Sequence, residues 1–512
     1  MEINSKKIGL FDATLLVSGS MIGSGIFIVT ADMSRLLGNA YLVIFAWLLT
    51  GIITLMAALS FGELASMMPN SGGQYNFITR IYGKVTGFVY GWSVFSVIQT
   101  GVIAAVAMAF AKYLGVFAPS FGPDAFLLKI PITSAYTFLL SKAQLIAVFM
   151  IVVLTFINTL GIQESKWIQR IFTLAKLLAL FSLILGGLYL IFFGDFGNVK
   201  NYFSDNFGHG FSAENFVFNS KDSHLVSEGH WTAIGGIGLM LAFSAAMVGS
   251  LFSSDAWQGI TFMSNEIEKP SKNIPKALIF GTSLVTIVYV LANLAYMALL
   301  PLKGGIVSPD QNHGSEVFVN GISHASNERV GAAAASAFMG VSQNADAGTL
   351  GMYFMAALIM VSTFGCNNGL ILAGSRLYKA MADQGLFFKK ASSVNRKNVP
   401  QNALWMQCAW ASILCLTGSY GDLLNYCTFA SLLFYIITVV GLIILRKKEP
   451  NADRPYKVWG YPFVPITYIL LASIVAVGIL WSQWDIAING LIIVALGYPI
   501  YFLFNRKKNV VS

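Results

Sequence analysis

Long apolar blocks separated by short polar joints dominate the pattern of this chain. Residues 143–162 and 486–504 each give about 20 nearly uncharged positions, enough for a helix to cross about 30 Å of hydrocarbon. Reading every block this way predicts an all-α integral membrane protein with spans at 10–33, 40–66, 85–111, 143–162, 168–193, 233–262, 275–300, 349–373, 402–419, 423–445, 460–481 and 486–504. The longest joints, at 112–142, 194–232 and 301–348, are rich in Gly, Asn, Ser and Asp. They are expected to form ordered caps or flexible loops. No separate water-soluble domain is expected.

Two blocks are interrupted. Span 1 carries Gly19-Ser20-Met21-Ile22-Gly23-Ser24-Gly25, and span 6 carries Phe252-Ser253-Ser254-Asp255-Ala256-Trp257. Glycine costs a helix about 1 kcal/mol relative to alanine, and an uncompensated Asp at mid-membrane about 3 kcal/mol on insertion scales. Both interruptions fall on the first helix of a five-helix block, spans 1–5 and 6–10. An odd number of crossings per block inverts the second copy relative to the first. Broken helices at matching positions of two inverted halves point to a carrier's binding site. An opened helix at Gly23-Ser24-Gly25 would expose N–H groups that attract an anion such as a carboxylate. Carbonyls near Met21–Ile22 and Phe252–Ser253 would accept from an ammonium group. That combination suits a zwitterionic α-amino acid. The alternative is that Gly19 and Gly23 only let two helices pack closely.

Composition supports lipid as the solvent: 56% of residues are hydrophobic and 11% charged, against roughly 25% charged in a soluble protein. The net charge of +9 follows topology rather than a nucleic-acid partner. On the predicted spans, 23 Lys and Arg fall on one side and eight on the other, with Lys176 inside a span. The positive-inside rule then predicts a multi-pass plasma-membrane protein with both termini cytoplasmic. Lys6–Lys7 runs straight into a full-length span, so no cleavable signal is expected.

The four cysteines (Cys366, Cys408, Cys415, Cys427) lie in or beside predicted helices and lack CxxC spacing, which disfavours a metal site. All five histidines (His209, His224, His230, His313, His324) fall in predicted external loops. No HExxH, GxSxG or Walker A motif occurs, so neither an enzyme nor a cofactor is implied. The lack of a TVGYG-like filter or an acidic ring disfavours a channel.

Several motifs resemble the amino acid–polyamine–organocation superfamily of amino-acid permeases, in particular its L-type branch. Ser20-Met21-Ile22-Gly23-Ser24-Gly25-Ile26-Phe27 resembles the first-helix motif, and Phe61-Gly62-Glu63-Leu64 with Pro69-Asn70-Ser71-Gly72-Gly73-Gln74-Tyr75 the second. Asn158, Gly161, Gln169-Arg170-Ile171-Phe172-Thr173 and Lys176 resemble helices 4–5. Glu266, Pro270 and Asn273-Ile274-Pro275 follow the pattern after helix 6, and Ser362-Thr363-Phe364-Gly365-Cys366-Asn367-Asn368-Gly369 that of helix 8. The resemblance covers nearly the whole chain in order.

It implies a LeuT-like 5+5 inverted repeat with twelve helices, discontinuous helices 1 and 6, and alternating access. Residues 1–193 would form the first repeat, 194–232 an external loop, 233–445 the second repeat, and 446–512 two further helices and a cytoplasmic tail. By carry-over, Gly23, Ser24 and Gly25 would hold a substrate carboxylate, with Met21 and Ile22 beside them. Phe252 and Ser253 would meet the amino group through their carbonyls, the Phe252 ring would gate the site, and Trp257 would shape it. Asp255 stands where animal L-type members commonly have glycine. It would either meet a polar or cationic substrate group or cap the lower half of helix 6. Lys176 lies too deep to snorkel to the interface and would replace the sodium of sodium-driven relatives, as a fixed brace or as a titrating group. Glu63 is expected to pair with an Arg or Lys at the helix end, and Asp12 to cap span 1 or gate it. Some animal relatives bind a single-span glycoprotein through a disulfide in the loop between spans 3 and 4. The loop at 112–142 has no cysteine, so no such partner is expected.

Overall fold

The computed structural model describes residues 7–123, 125–133, 136–195, 200–208, 210–218, 229–307, 317–319, 321–325, 328–339, 345–417 and 420–506. Lys6, Lys221, Lys507, Lys508, His209, His224 and His313 lie outside the described residues, as do both chain ends. The same holds for the side chains of Lys166 and Gln169.

The chain is mostly helical. Span 1 is divided into α1 (Leu10–Met21) and α2 (Thr30–Leu37), followed by α3 (Ala40–Met67) and α4 (Gln74–Tyr82). Then come α5 (Lys84–Phe117), α6 (Lys142–Thr159) and α7 (Ile162–Phe193). Span 6 is divided into α8 (Gly236–Ser253) and the single turn α9 (Gly259–Phe262), and α10 follows (Pro270–Leu299). Further along come α11 (Val330–Met339), α12 (Ala345–Asp383), α13 (Gln401–Thr417), α14 (Tyr420–Lys448), α15 (Phe463–Ser482) and α16 (Trp484–Arg506), besides one short turn of helix at Phe203–Phe207 in the joint after α7.

Among the described residues, nine helices are long and apolar enough to cross a membrane by themselves. α1 and α2 each fall short because the glycine-rich stretch divides them. α7 begins at Ile162 and α12 runs to Asp383, so both exceed the predicted spans. The polar residues of Lys166–Arg170 continue the helix beyond the apolar block, which a hydropathy reading alone ends too soon.

The outer face is apolar. On α6, Leu145, Phe149, Val152 and Phe156 are exposed, at spacings of four, three and four, while Ala147, Met150, Leu154 and Asn158 face inward. This stripe needs lipid rather than water. Exposed Trp459 and Phe463 at one end of α15, and Trp481 and Trp484 at the other, form the aromatic girdles of a membrane-crossing helix. The protein is a multi-pass membrane protein.

α5 is the most enclosed crossing. Its small residues permit close approach: a methyl on Gly87 would meet Thr79 Cβ at 3.0 Å. A π-helical stretch, Val94–Ile98, interrupts it. Glu63, fully buried near the end of α3, is bonded by Arg446, which donates from Nε at 2.8 Å, and by the Val458 N–H at 2.7 Å. Arg454 Nε lies 3.2 Å from the same carboxylate. Glu63 thus fastens the segment after α14 onto α3.

The long joints hold short strands beside the predicted helices. Among the described residues they contain three antiparallel strand pairs: β1 (Phe126–Thr133) with β2 (Tyr136–Ser141), β3 (Glu214–Phe218) with β4 (Gly229–Ala233), and β5 (Gly305–Val307) with β6 (Val317–Val319). Alternation as in Phe216/Phe218, with Phe216 against Trp231 at 5.3 Å between ring centroids, pairs these strands. Hairpins of this length are hidden in a hydropathy profile dominated by long spans.

Candidate functional site

The break in span 1 begins where Ile22 leaves helical geometry, at φ −73° and ψ 89°. A short 3₁₀ turn, Gly25–Phe27, leads into α2. α8 ends at Ser253, and Ala256 takes a left-handed φ of 70° before the chain turns again at Gly259. The two breaks touch. A methyl on Gly25 would overlap Ser253, meeting its Cβ at 2.7 Å and its Cα at 3.0 Å. Only glycine lets the backbones approach this closely.

The carbonyls freed by the first break are taken up one after another. Lys176, fully buried on α7, donates from Nζ to Gly19 O and to Ile22 O, the latter at 2.7 Å. Cys366 Sγ donates to Ser20 O at 3.0 Å. The Tyr289 hydroxyl lies 3.0 Å from Met21 O and 2.9 Å from Ser253 O, bridging the two breaks. Ser362 Oγ adds longer contacts of 3.4 Å to Ile22 O and Gly23 O. Donors from α7, α10 and α12 therefore replace the lost intrahelical partners, as buried peptide groups require. The carbonyls of Met21, Ile22 and Ser253, expected to be free, already have protein donors beside them: Lys176 and the longer Ser362 contact at Ile22 O, and the one Tyr289 hydroxyl proton that Met21 O and Ser253 O share, so acceptor capacity remains chiefly on the latter two.

The amide side differs. The Ile22 N–H still bonds Ser18 O at 2.9 Å. Among the described residues, no acceptor pairs with the N–H of Gly23 or of Gly25. Carbonyls supplied and amides unused give the break a net demand for an acceptor, which an anion meets best.

The expected site residues form two groups. Met21 to Gly25, Ser253 and Lys176 converge on the breaks, and Phe252 is buried in the last turn of α8 beside them. Asp255 and Trp257 instead line a small cavity of about 30 Å³ with Ile53, Thr54, Ser431, Tyr435 and Tyr468. The Asp255 carboxylate accepts from the Tyr435 hydroxyl and from Ser431 Oγ at 3.3 Å. α9 has Gln258 as its N-cap, with no side-chain cap bond, and the side-chain donors to Asp255 come from α14. The Trp257 ring packs edge-on against Phe61 at 4.8 Å and tilted against Tyr435 at 5.3 Å. Asp12 is exposed in the first turn of α1, whose N-cap is Gly9.

Sequence reasoning missed Tyr289, a lone tyrosine in an apolar helix with no local signal. It also missed Ser431 and Tyr435, whose spacing of four places them on one face of α14. Ser362 and Cys366 stood inside a quoted motif, but nothing in it said which carbonyls they would reach.

A membrane bundle with two touching broken helices, their carbonyls filled from neighbouring helices, is the architecture of a permease rather than of a soluble binder. The chain belongs to the amino acid permease family, whose model matches residues 8–504. Among its relatives, Large neutral amino acids transporter small subunit 2 of Mus musculus is 30% identical over 503 residues, covering 97% of this chain and 81% of that one. Asc-type amino acid transporter 1 of Mus musculus is 30% identical over 513 residues, covering 98% and 82%. The b(0,+)-type amino acid transporter 1 of Mus musculus is 26% identical over 508 residues, covering 98% and 88%. These place the chain in the L-type branch of the family.

Proposed function

We propose that this protein is a secondary active carrier of amino acids that works by alternating access, independently of sodium, by exchange or proton-linked uptake. The observation that carries this reading is the asymmetry at the span-1 break, where carbonyls are provided for and the amides of Gly23 and Gly25 are not. An α-carboxylate would seat on the N–H groups of residues 23–25. The amino group would use the remaining lone pairs at Met21, Ile22, Phe252 and Ser253, and the Phe252 ring would close over the substrate. Lys176 stands where a bound cation would otherwise neutralise the same carbonyls, which favours sodium independence. The names of the relatives, all amino-acid transporters, support the substrate class.

The same reading takes twelve crossings: the nine long helices, the α1–α2 pair, α13 and α16. It takes the 5+5 inverted repeat as 1–193 and 233–445, separated by the loop 194–232 and followed by 446–512. It puts the protein in the plasma membrane with both termini cytoplasmic, the side richer in Lys and Arg.

Asp255 favours a second reading of the side-chain preference. Among the described residues no Lys or Arg pairs with this buried carboxylate, and aromatic Trp257, Tyr435 and Tyr468 surround its cavity. A polar or cationic side chain would fit there better than a large aliphatic one. Radiolabelled uptake into proteoliposomes, across neutral, hydroxylated and cationic amino acids and with and without internal substrate, tests both readings. Saturable uptake with counterflow is expected. The absence of uptake for every amino acid refutes the carrier, and an unchanged preference in Asp255→Gly refutes the pocket role of Asp255.

A further inference from the structure

At the end of the bundle beyond α2 lies a cluster of paired charges that the binding site does not use. Glu328, in the turn before α11, accepts from Arg35 Nη2 at 3.0 Å through one carboxylate oxygen and from Lys112 Nζ at 2.7 Å through the other. Arg35 belongs to the last turn of α2, the half of span 1 beyond the break. Lys112 belongs to the far end of α5. One side chain thus joins three elements that lie far apart along the chain. Arg35 also donates to Ser323 O at 2.7 Å and pairs with Asp32, and Arg329 donates to Lys112 O at 2.6 Å. Arg35 and Lys112 are mostly buried, so solvent screens these pairs less than surface pairs.

Two further facts single out Glu328. Its backbone sits in the left-handed region, at φ 58°, which disfavours a residue with a side chain unless its surroundings hold it there. Moreover, a carboxylate can accept a charge-assisted bond at each oxygen, whereas an amide has a single oxygen to offer. The eight-residue α2 is attached to α1 only through the broken stretch 22–29, so contacts at its outer end contribute to its tilt together with its packing against α8 and α3.

We propose that Glu328 is a positioning residue that clasps α2 to α5 and to the loop before α11, holding the site closed at this end. The clasp must release for α2 to swing and admit substrate. This rests on the alternating-access reading above. Loss of the clasp raises the fraction of molecules open at this end without touching the residues that hold substrate.

Cys366 is a native reporter, since its Sγ lies 3.1 Å from where a methyl on Gly23 would stand. The experiment measures how fast membrane-impermeant sulfonatoethyl methanethiosulfonate, added to intact cells expressing the full chain, modifies Cys366. A Cys366→Ser strain supplies the background. Glu328→Gln is expected to raise the rate about ten-fold, the change produced by a tenfold shift in a minor open population. Glu328→Asp should stay close to the native rate. An unchanged rate in a monodisperse, normally expressed Glu328→Gln protein overturns the clasp. If that variant does not fold, Lys112→Gln removes one of the two pairs. A rate about three-fold up then supports the clasp, and no change overturns it. Amino-acid uptake in the same cells separates the two ideas. Native protein that transports nothing sinks the carrier reading, whereas native transport with unaltered labelling in Glu328→Gln sinks the clasp alone.

Discussion

Replacing Lys176 by methionine keeps most of the side-chain length and removes the ammonium. In the native protein Nζ serves two carbonyls of the span-1 break, Gly19 O and Ile22 O. A charge-assisted bond to a buried acceptor contributes about 1.5–3 kcal/mol. Ile22 O keeps the longer contact from Ser362, so its loss is partial, whereas Gly19 O loses its donor outright. One full bond and part of a second come to about 3 kcal/mol, or roughly two orders of magnitude in the population that holds the break in its binding geometry. The assay is uptake of a labelled amino acid into proteoliposomes, run with and without sodium and a proton gradient. Uptake efficiency is expected to fall about 100-fold in Lys176→Met, while Lys176→Arg, which still carries charge and donors, recovers part of it. Native uptake should be indifferent to sodium, because the ammonium already occupies the place beside the carbonyls. Strict dependence of the native protein on sodium refutes the reasoning. So does a monodisperse Lys176→Met protein that transports at the native rate.

Three further outcomes are expected. Gly25→Ala drives a methyl into Ser253, so the breaks must separate; uptake should be lost while the purified protein still runs as a folded species on size exclusion. Tyr289→Phe removes the hydroxyl between Met21 O and Ser253 O. A cost of about 1–3 kcal/mol should lower kcat/KM about 5- to 150-fold, measured by initial-rate uptake. For Glu328, burial pushes the carboxyl up, but Lys112 and then Arg35 outweigh it and hold it at about 2 against an ordinary value of 4.5. A depressed carboxyl stabilises the fold above its unfolded value and loses that contribution as pH falls through the folded one. The melting difference between the native protein and Glu328→Gln should therefore be constant above pH 4.5 and shrink between pH 4.5 and about 2. A difference that grows on acidification would contradict the ion-pair assignment.

The membrane class was legible because hydropathy is additive along a helix: a block such as 143–162 needs no partner to declare that it belongs in lipid. The glycines of residues 19–25 and the polar run 252–257 were legible for the complementary reason, that they are costly where they stand. Lys176 was readable as buried from its depth in an apolar block. Tyr289 was not readable, because a tyrosine in a long apolar helix looks the same whether its hydroxyl meets lipid headgroups or two broken helices. Asp255 was half readable. Its cost was plain, but its turn toward Ser431 and Tyr435 rather than toward α9 depends on residues 176 and 180 positions away in the chain.

By itself the sequence determined the solvent, the approximate crossings and the two places where helices are weakest, since each is a property of a contiguous stretch. Only the tertiary structure decided which donors fill which carbonyls, that the Gly23 and Gly25 amides are the groups left over, and that Glu328 ties α2 to α5. Hydrogen bonds and ion pairs reach only about 3 Å, so their partners depend on how distant helices pack against one another, which no local pattern encodes.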